Sequence, residues 1–217
     1  MASIGQSVTR NAIGLALFAV ITAGTIALTH AFTQERITDQ IRQAEAGALL
    51  QIIPENLHDN DLLQDTVTVG PSDKLGLTSE AQAHIARVDG DVSGIILPVV
   101  APNGYSGEIR MLVGIDADGE ILGVRVTQHR ETPGLGDKIE TKKSDWIHSF
   151  NGKSLDRIPG DQWAVAKDGG QFDQFTGATI TPRAVVSAVH GALKYFAERH
   201  PALLQPSADA ATDGDES

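Results

Sequence analysis

Residues 12–32, AIGLALFAVITAGTIALTHAF, contain no acidic or strongly basic side chain. At about 1.5 Å of rise per residue, a helix of this length reaches roughly 30 Å, the thickness of a bilayer's hydrocarbon core. The segment is therefore expected to cross a membrane once. A buried core helix would have to be apolar on nearly every face, which a small domain cannot accommodate. The threonines at 22, 25 and 29 can return their hydroxyl bonds to the helix's own carbonyls, and His30 falls near the far interface. A cleaved signal peptide is the rival reading. Its n-region would hold only Arg10, however, and Thr29-His30-Ala31 is a poor small-x-small cleavage site. Arg10 precedes the span while Arg36 and Arg42 follow it, so the basic count hardly orients it. The large acidic remainder places residues 1–11 in the cytoplasm and the main domain, residues 33–204, in the periplasm.

The 217 residues carry a net charge of -11, which repels phosphate backbones and excludes sequence-independent nucleic-acid binding. With no cysteine, the chain has no disulfide, thiolate metal site, iron-sulfur cluster or catalytic thiol, so any redox chemistry needs another carrier. The seven histidines show no paired metal spacing; those at 84, 129, 148 and 190 read as polar surface or core groups, and no metal site is expected. Asp116, Asp118 and Glu120 resemble a fragment of a calcium loop but lack its distal glutamate, so a hairpin turn suffices. No dinucleotide, P-loop or nucleophile-elbow motif occurs. The last stretch, QPSADAATDGDES at 205–217, has no apolar residue larger than alanine and reads as a disordered acidic tail.

Between anchor and tail, Ile37, Ile41, Ala44, Ala48 and Ile52 recur at helical spacing before Pro54 and predict a juxtamembrane helix. No elements are placed over residues 56–78. Two hairpins follow. Residues 84–88 and 93–100 flank Asp89-Gly90, and residues 108–115 and 121–128 flank Asp116-Ala117-Asp118-Gly119, with Ile109, Met111, Val113 and Ile115 alternating. They predict an antiparallel sheet with one buried face. A short helix is expected over 138–150, a short strand over 163–166, and a strong helix over 182–199 with Val185, Val189, Ala192 and Phe196 on one face. The fold class is α+β, a single transmembrane helix followed by an antiparallel sheet with packed helices.

The segment most informative about chemistry is QFDQFTGATITPRAVV at 171–186. Thr181 before Pro182 reads as an N-cap followed by a residue preset for the first helical position. The helix start then faces the turn Thr176-Gly177-Ala178-Thr179, and Arg183 adds a positive charge suited to phosphate. A capped helix after a glycine turn would look the same, and spacing alone does not separate the two. A second candidate is the loop HRETPGLG at 129–136. There Pro133, Gly134 and Gly136 could form a backbone wall beside a flat ring, with Glu131 and Thr132 as polar contacts.

Asp173-Gln174-Phe175-Thr176-Gly177-Ala178-Thr179 resembles the flavinylation motif D-x-x-[ST]-G-A-T. Together with the anchor, APNGYSGEI at 101–109 and ETPGLGDKIE at 131–140, it makes residues 10–200 resemble the G subunit of the Rnf/Rsx electron transport complex. The chain is more distantly similar to the C subunit of the sodium-translocating NADH:quinone reductase. The resemblance implies an FMN-binding domain whose FMN is esterified through its phosphate to Thr179, making the chain a flavoprotein and a phosphoprotein. Thr181 is the nearest competitor, set aside here because its oxygen would serve the helix cap. The resemblance further implies that Asp173, Thr176, Gly177 and Ala178 belong to the FMN-binding site, with Asp173 part of the recognition sequence of a separate flavin transferase using FAD. Glu131, Thr132, Gly134 and Leu135 would lie against the flavin, with Tyr105 lining it. The expected function is an electron relay within an ion-translocating inner-membrane complex, either linking ferredoxin and NAD or keeping a redox-sensing regulator reduced. It would be a subunit rather than a freestanding enzyme. The competing reading is a non-redox, membrane-anchored binding or assembly module.

Overall fold

The computed structural model describes residues 4–203, and the tail expected at 205–217 lies outside them. The chain divides into two compact units, Met1–Glu45 and Ala46–Ser217. Most of helix α1 (Ile4–Ile52) forms the first. Its stretch Asn11–His30 has a mean hydropathy of 2.1 and none of it is buried within the protein, so it is long and apolar enough to cross a membrane. Thr22, Thr25 and Thr29 donate to the carbonyls of Phe18, Ile21 and Thr25 at 2.8 Å, as expected for hydroxyls in an apolar setting. The juxtamembrane helix is the continuation of α1; the side chains of Ile37, Ile41 and Ala44 lie outside the described residues.

The second unit is built on an antiparallel meander of β1 (Thr66–Val69), β2 (Ala81–Val88), β3 (Asp91–Ala101), β4 (Ile109–Asp116) and β5 (Ile121–Gln128), ordered as in sequence. Both expected hairpins form. Asp89 and Gly90 both take positive φ, 53° and 88°, the combination that a two-residue turn of right-handed twist requires. In the second hairpin the Asp116 carboxylate accepts the backbone N–H groups of Asp118 and Glu120 at 3.0 and 2.8 Å, while Glu120 pairs with Arg157 at 2.7 Å. These carboxylates thus serve a turn and an ion pair. Strand β1 occupies part of the stretch left without elements.

Ile109, Met111, Val113 and Ile115 all face the main core, paired across the register with Ala101, Val99, Leu97 and Ile95. Helix α2 (Ile180–Leu203) packs there too, with Val185, Val189, Ala192 and Phe196 buried. The opposite face, expected to be open, is covered as well. Leu49, Ile52, Ile53 and Leu62 pack against Ala86 and Ile96, with Leu112 and Leu122 beside them. Ile52 reaches the backbone because Gly114 and Gly123 are register partners; a Cβ on Gly114 would stand 2.1 Å from the Ile52 Cγ2.

Two further expectations are corrected. The helix over 138–150 is instead two short 3-10 turns, Asp137–Ile139 and Trp146–Phe150. Ser144 interrupts it, its hydroxyl donating to the Lys138 carbonyl at 2.7 Å and accepting the Trp146 N–H, which removes both groups from a helical ladder. The strand over 163–166 is reduced to one bridge, Val165 with Phe172. Two 3-10 turns, Gly160–Gln162 and Ala166–Asp168, flank this stretch, and Gly169, at φ 88° directly after the second, folds the chain back on itself.

Candidate functional site

Aromatic packing positions the segment before α2. Phe172 stacks on Phe150 with ring centres 4.6 Å apart, and Phe175 meets Trp146 edge-on at 5.0 Å. Trp146 also donates its indole N–H to the Asp173 carbonyl at 2.8 Å. The chain leaves this anchorage at Phe175, whose carbonyl accepts the Ala178 N–H at 3.1 Å. Gly177 takes φ 81° at the third position, the conformation that defines a type II turn and that a side chain would strain. The Leu135 side chain lies over it, 3.6 Å from where a Cβ would be.

The start of α2 differs from the expectation by two residues. Its helical residues begin at Ile180, and the Thr179 carbonyl accepts the Arg183 N–H at 3.5 Å, so Thr179 rather than Thr181 is the N-cap. Pro182 falls inside the first turn, where its missing N–H still costs nothing because the first four donors have no helical partner. Thr181 is fully buried and its hydroxyl donates to the Glu131 carboxylate. Arg183 is likewise corrected. Its guanidinium grips Asp168 with two bonds of 2.5 and 2.6 Å, and it does not line the cavity described below. That hydrogen-bonded contact holds the Asp168 carboxyl below its ordinary range and raises Arg183 further.

The second candidate loop is braced from within. The Thr132 carbonyl accepts the N–H groups of Leu135 and Gly136 at 3.1 and 3.0 Å, and the buried Asp137 carboxylate accepts that of Gly134 at 2.8 Å. His129 Nδ1 accepts the Glu131 N–H at 3.0 Å, which leaves Nε2 to carry the proton and donate to Glu140 at 2.8 Å. Glu131 is only 4% exposed. Its Oε1 accepts the Ser106 N–H at 2.9 Å and its Oε2 accepts the Thr181 hydroxyl. One carboxylate therefore joins the loop after β3, the loop after β5 and the first turn of α2.

Between these segments lies a cavity of about 440 Å³ lined by Tyr105, Glu131, Thr132, Leu135, Gly136, Gly177, Ala178, Thr179, Ile180 and Thr181. Of the residues expected at the site, the structure brings together Tyr105, Glu131, Thr132, Leu135, Gly177, Ala178 and Thr179. Asp173 and Thr176 are exposed, and they and Gly134 lie outside the lining. Sequence reasoning missed Ile180, whose signal was an apolar residue between two threonines at a helix start. Tyr105, Leu135 and Ile180 are 67%, 42% and 46% exposed, an unusual concentration of large apolar side chains at one opening. Thr179 is half-buried, its hydroxyl at the end of α2 where backbone N–H groups lack helical partners. The arrangement can hold a flat apolar body against the exposed side chains and an anionic group at the helix start. Among the described residues no three His, Cys, Asp or Glu side chains converge on a metal position.

Residues 104–194 match the model of the FMN-binding domain, and residues 1–52 match that of the RnfG N-terminal region. The G subunit of the ion-translocating oxidoreductase complex from Pseudomonas aeruginosa is 50% identical over 205 residues, covering 94% of this chain and 96% of the relative. The protein of the same description from Shewanella piezotolerans is 45% identical over 210 residues, covering 97% and 99%. That from Vibrio cholerae is 48% identical over 189 residues, covering 87% and 90%. With relatives this similar over almost its whole length, and both family models matched in order, the chain belongs to the family of G subunits of ion-translocating oxidoreductase complexes.

Proposed function

We propose that this chain is an electron-relay subunit of a membrane-bound, ion-translocating oxidoreductase complex, and that it carries FMN esterified through its phosphate to Thr179. The observation that carries the reading is Thr179, half-buried at the N-cap of α2 and lining the 440 Å³ cavity. A phosphodiester there keeps one negative charge, which the orphan N–H groups of the first helical turn stabilise by hydrogen bonds and by the helix dipole. The cavity's volume falls in the range of roughly 300–1,000 Å³ usual for cofactor sites. Its lining also suits the group: Tyr105, Leu135 and Ile180 offer apolar surface to a flat ring, and Gly136 and Gly177 let backbone approach it. Thr181, the nearest competing hydroxyl, is buried and already donates to Glu131.

The flavin, when bound, supplies reversible electron uptake that no side chain of this cysteine-free sequence provides. The chain's own residues bind it, orient it and tether it. Asp173, exposed and held in place through its carbonyl by Trp146, is available to a flavin transferase as part of the recognition sequence. Residues 12–32 anchor the protein in the inner membrane, with residues 1–11 in the cytoplasm, the domain at 33–204 in the periplasm and the acidic tail beyond it. The other subunits of the complex are its partners, and the electron path is linked to ferredoxin and NAD or to a redox-sensing regulator.

The test is to coexpress the full chain with an active flavin transferase, denature and digest it, and measure the peptide spanning residues 171–183 by mass spectrometry. The expected product is that peptide plus FMN less one water, with the adduct on Thr179. Unmodified peptide, from a preparation in which the transferase labels a control substrate, would return the chain to a non-redox anchored module.

A further inference from the structure

Among the described residues Glu131 is the one carboxylate lining the cavity, and its two oxygens are committed differently. The Ser106 amide at 2.9 Å fixes Oε1, and the Thr181 hydroxyl donates to Oε2. The backbone has been shaped around this group. A Cβ on Gly136 would stand 2.9 Å from Oε2 and 2.9 Å from the Thr181 hydroxyl, while one on Gly104 would meet the Gly107 carbonyl oxygen at 2.3 Å and Oε1 at 3.0 Å. Gly136 thus leaves room for a carboxylate at 4% exposure, where a residue of this type is seldom found unless it is paired. Both of its partners are neutral dipoles. The described salt bridges place no Lys or Arg against it, so its charge is softened by hydrogen bonds without being cancelled.

We propose that the Glu131 carboxylate, held against the cavity by Ser106 and Thr181, is a positioning residue that sets the reduction potential of the flavin tethered at Thr179. The inference rests on the function proposed above. A negative charge fixed in a partly dry wall disfavours the arrival of electrons next to it, because Coulomb interactions weaken much less there than in water. The Thr181 hydroxyl moderates that effect by drawing charge toward its proton. Removing the charge and removing the hydroxyl therefore move the potential in opposite directions, which loosening of the site would not do.

The experiment uses the full chain, flavinylated in cells and purified in detergent, with covalent flavin first quantified after denaturation. The midpoint potential is then titrated spectroscopically for the native protein, Glu131→Gln and Thr181→Val. Glu131→Gln keeps the shape and an acceptor for the Ser106 amide, and its midpoint is expected to move to more positive potential. Thr181→Val keeps the charge and removes its donor, and the midpoint is expected to move to more negative potential. An unchanged midpoint in Glu131→Gln, or shifts of the same sign in both variants, overturns the inference and leaves the tether at Thr179 standing. Should Glu131→Gln fail to fold, Thr181→Val decides alone, since no shift or a positive one overturns the proposal. A native protein without covalent flavin removes both the tether and the inference.

Discussion

Helix α2 contributes a wall to two cavities of almost equal volume, about 440 Å³ beside Thr179 and about 460 Å³ further along. Their linings differ in kind. The first combines hydroxyls, glycine backbone and three exposed apolar side chains. The second is bounded by Asp73, Lys74, Asn103, Ser187, His190 and Lys194, with none of the described exposed large apolar side chains. There Lys74 is engaged with Glu198 at 2.8 Å, and Ala184, Ala188 and Gly191 of α2 share the remaining lining with Gly76, Val100, Ala101 and Pro102. Volume therefore says little about use. The chemistry of the rim distinguishes a site that offers a flat ring apolar cover and an anion a helix start from a cleft with charged edges.

The largest expected effect contrasts one hydroxyl from each cavity. Thr179→Ala should abolish covalent flavin, read as visible absorbance of denatured protein, while Ser187→Ala should load fully; flavin retained in Thr179→Ala would move the attachment elsewhere. Ser187→Ala should also keep the native thermal midpoint, since an exposed hydroxyl contributes little to stability, whereas Thr179→Ala removes the N-cap residue of α2 and should cost about 1 kcal/mol.

A second contrast uses glycines. Gly76→Ala forces a side chain onto φ 65° with its Cβ 2.0 Å from the Val100 carbonyl oxygen, and should cost about 3 kcal/mol, seen as a marked fall in thermal midpoint. Gly136→Ala meets side-chain oxygens at 2.9 Å rather than backbone, so it should lower flavin loading more than stability. The reverse ranking would show that Glu131 and Thr181 serve the fold rather than the site.

A smaller effect is expected from His190, which stacks on Trp163 with ring centres 5.2 Å apart. Burial, with the charge of Lys194 as a lesser cause, holds its imidazole below the ordinary 6.5. As pH falls through that value the unfolded chain takes up a proton that the folded chain still refuses, so stability declines on the acid side. His190→Phe should therefore reduce the loss of thermal midpoint between about pH 7.5 and about pH 5.5. An identical loss in both proteins would assign the acid sensitivity to other groups. The smallest effect belongs to Arg183→Met. Its pair with Asp168 is exposed and outside the cavity, so flavin loading and thermal midpoint should match the native protein within error.

Much of the frame could be read locally. The Asp89-Gly90 turn, the alternation in β4 and the apolar face of α2 each depend on residues within a few positions of one another. The turn at Thr176-Gly177-Ala178-Thr179 was legible for the same reason. What misled was also local. Thr181-Pro182 imitates a cap and first turn, yet Thr181 lies inside the helix because Glu131, fifty positions earlier in sequence, takes its hydroxyl. Arg183 looks locally like an anion ligand, yet Asp168, brought near by the fold-back at Gly169, takes its guanidinium. The covered second face of the sheet depended on Ile52 meeting Gly114 and Gly123, contacts that no periodicity within β4 or β5 announces.

The sequence by itself determined an apolar segment long enough to span a bilayer, two hairpins, a terminal amphipathic helix and a threonine-rich turn before it. These follow from side-chain spacing, glycine's access to positive φ and the hydrogen bonds of nearby groups. Only the tertiary structure decided that Thr179 caps α2 and lines a cavity, that Thr181 is locked, that Arg183 is spent on Asp168 and that Glu131 stands at the junction of three segments. Each depends on groups far apart in the chain, whose meeting is set by the packing of the whole core.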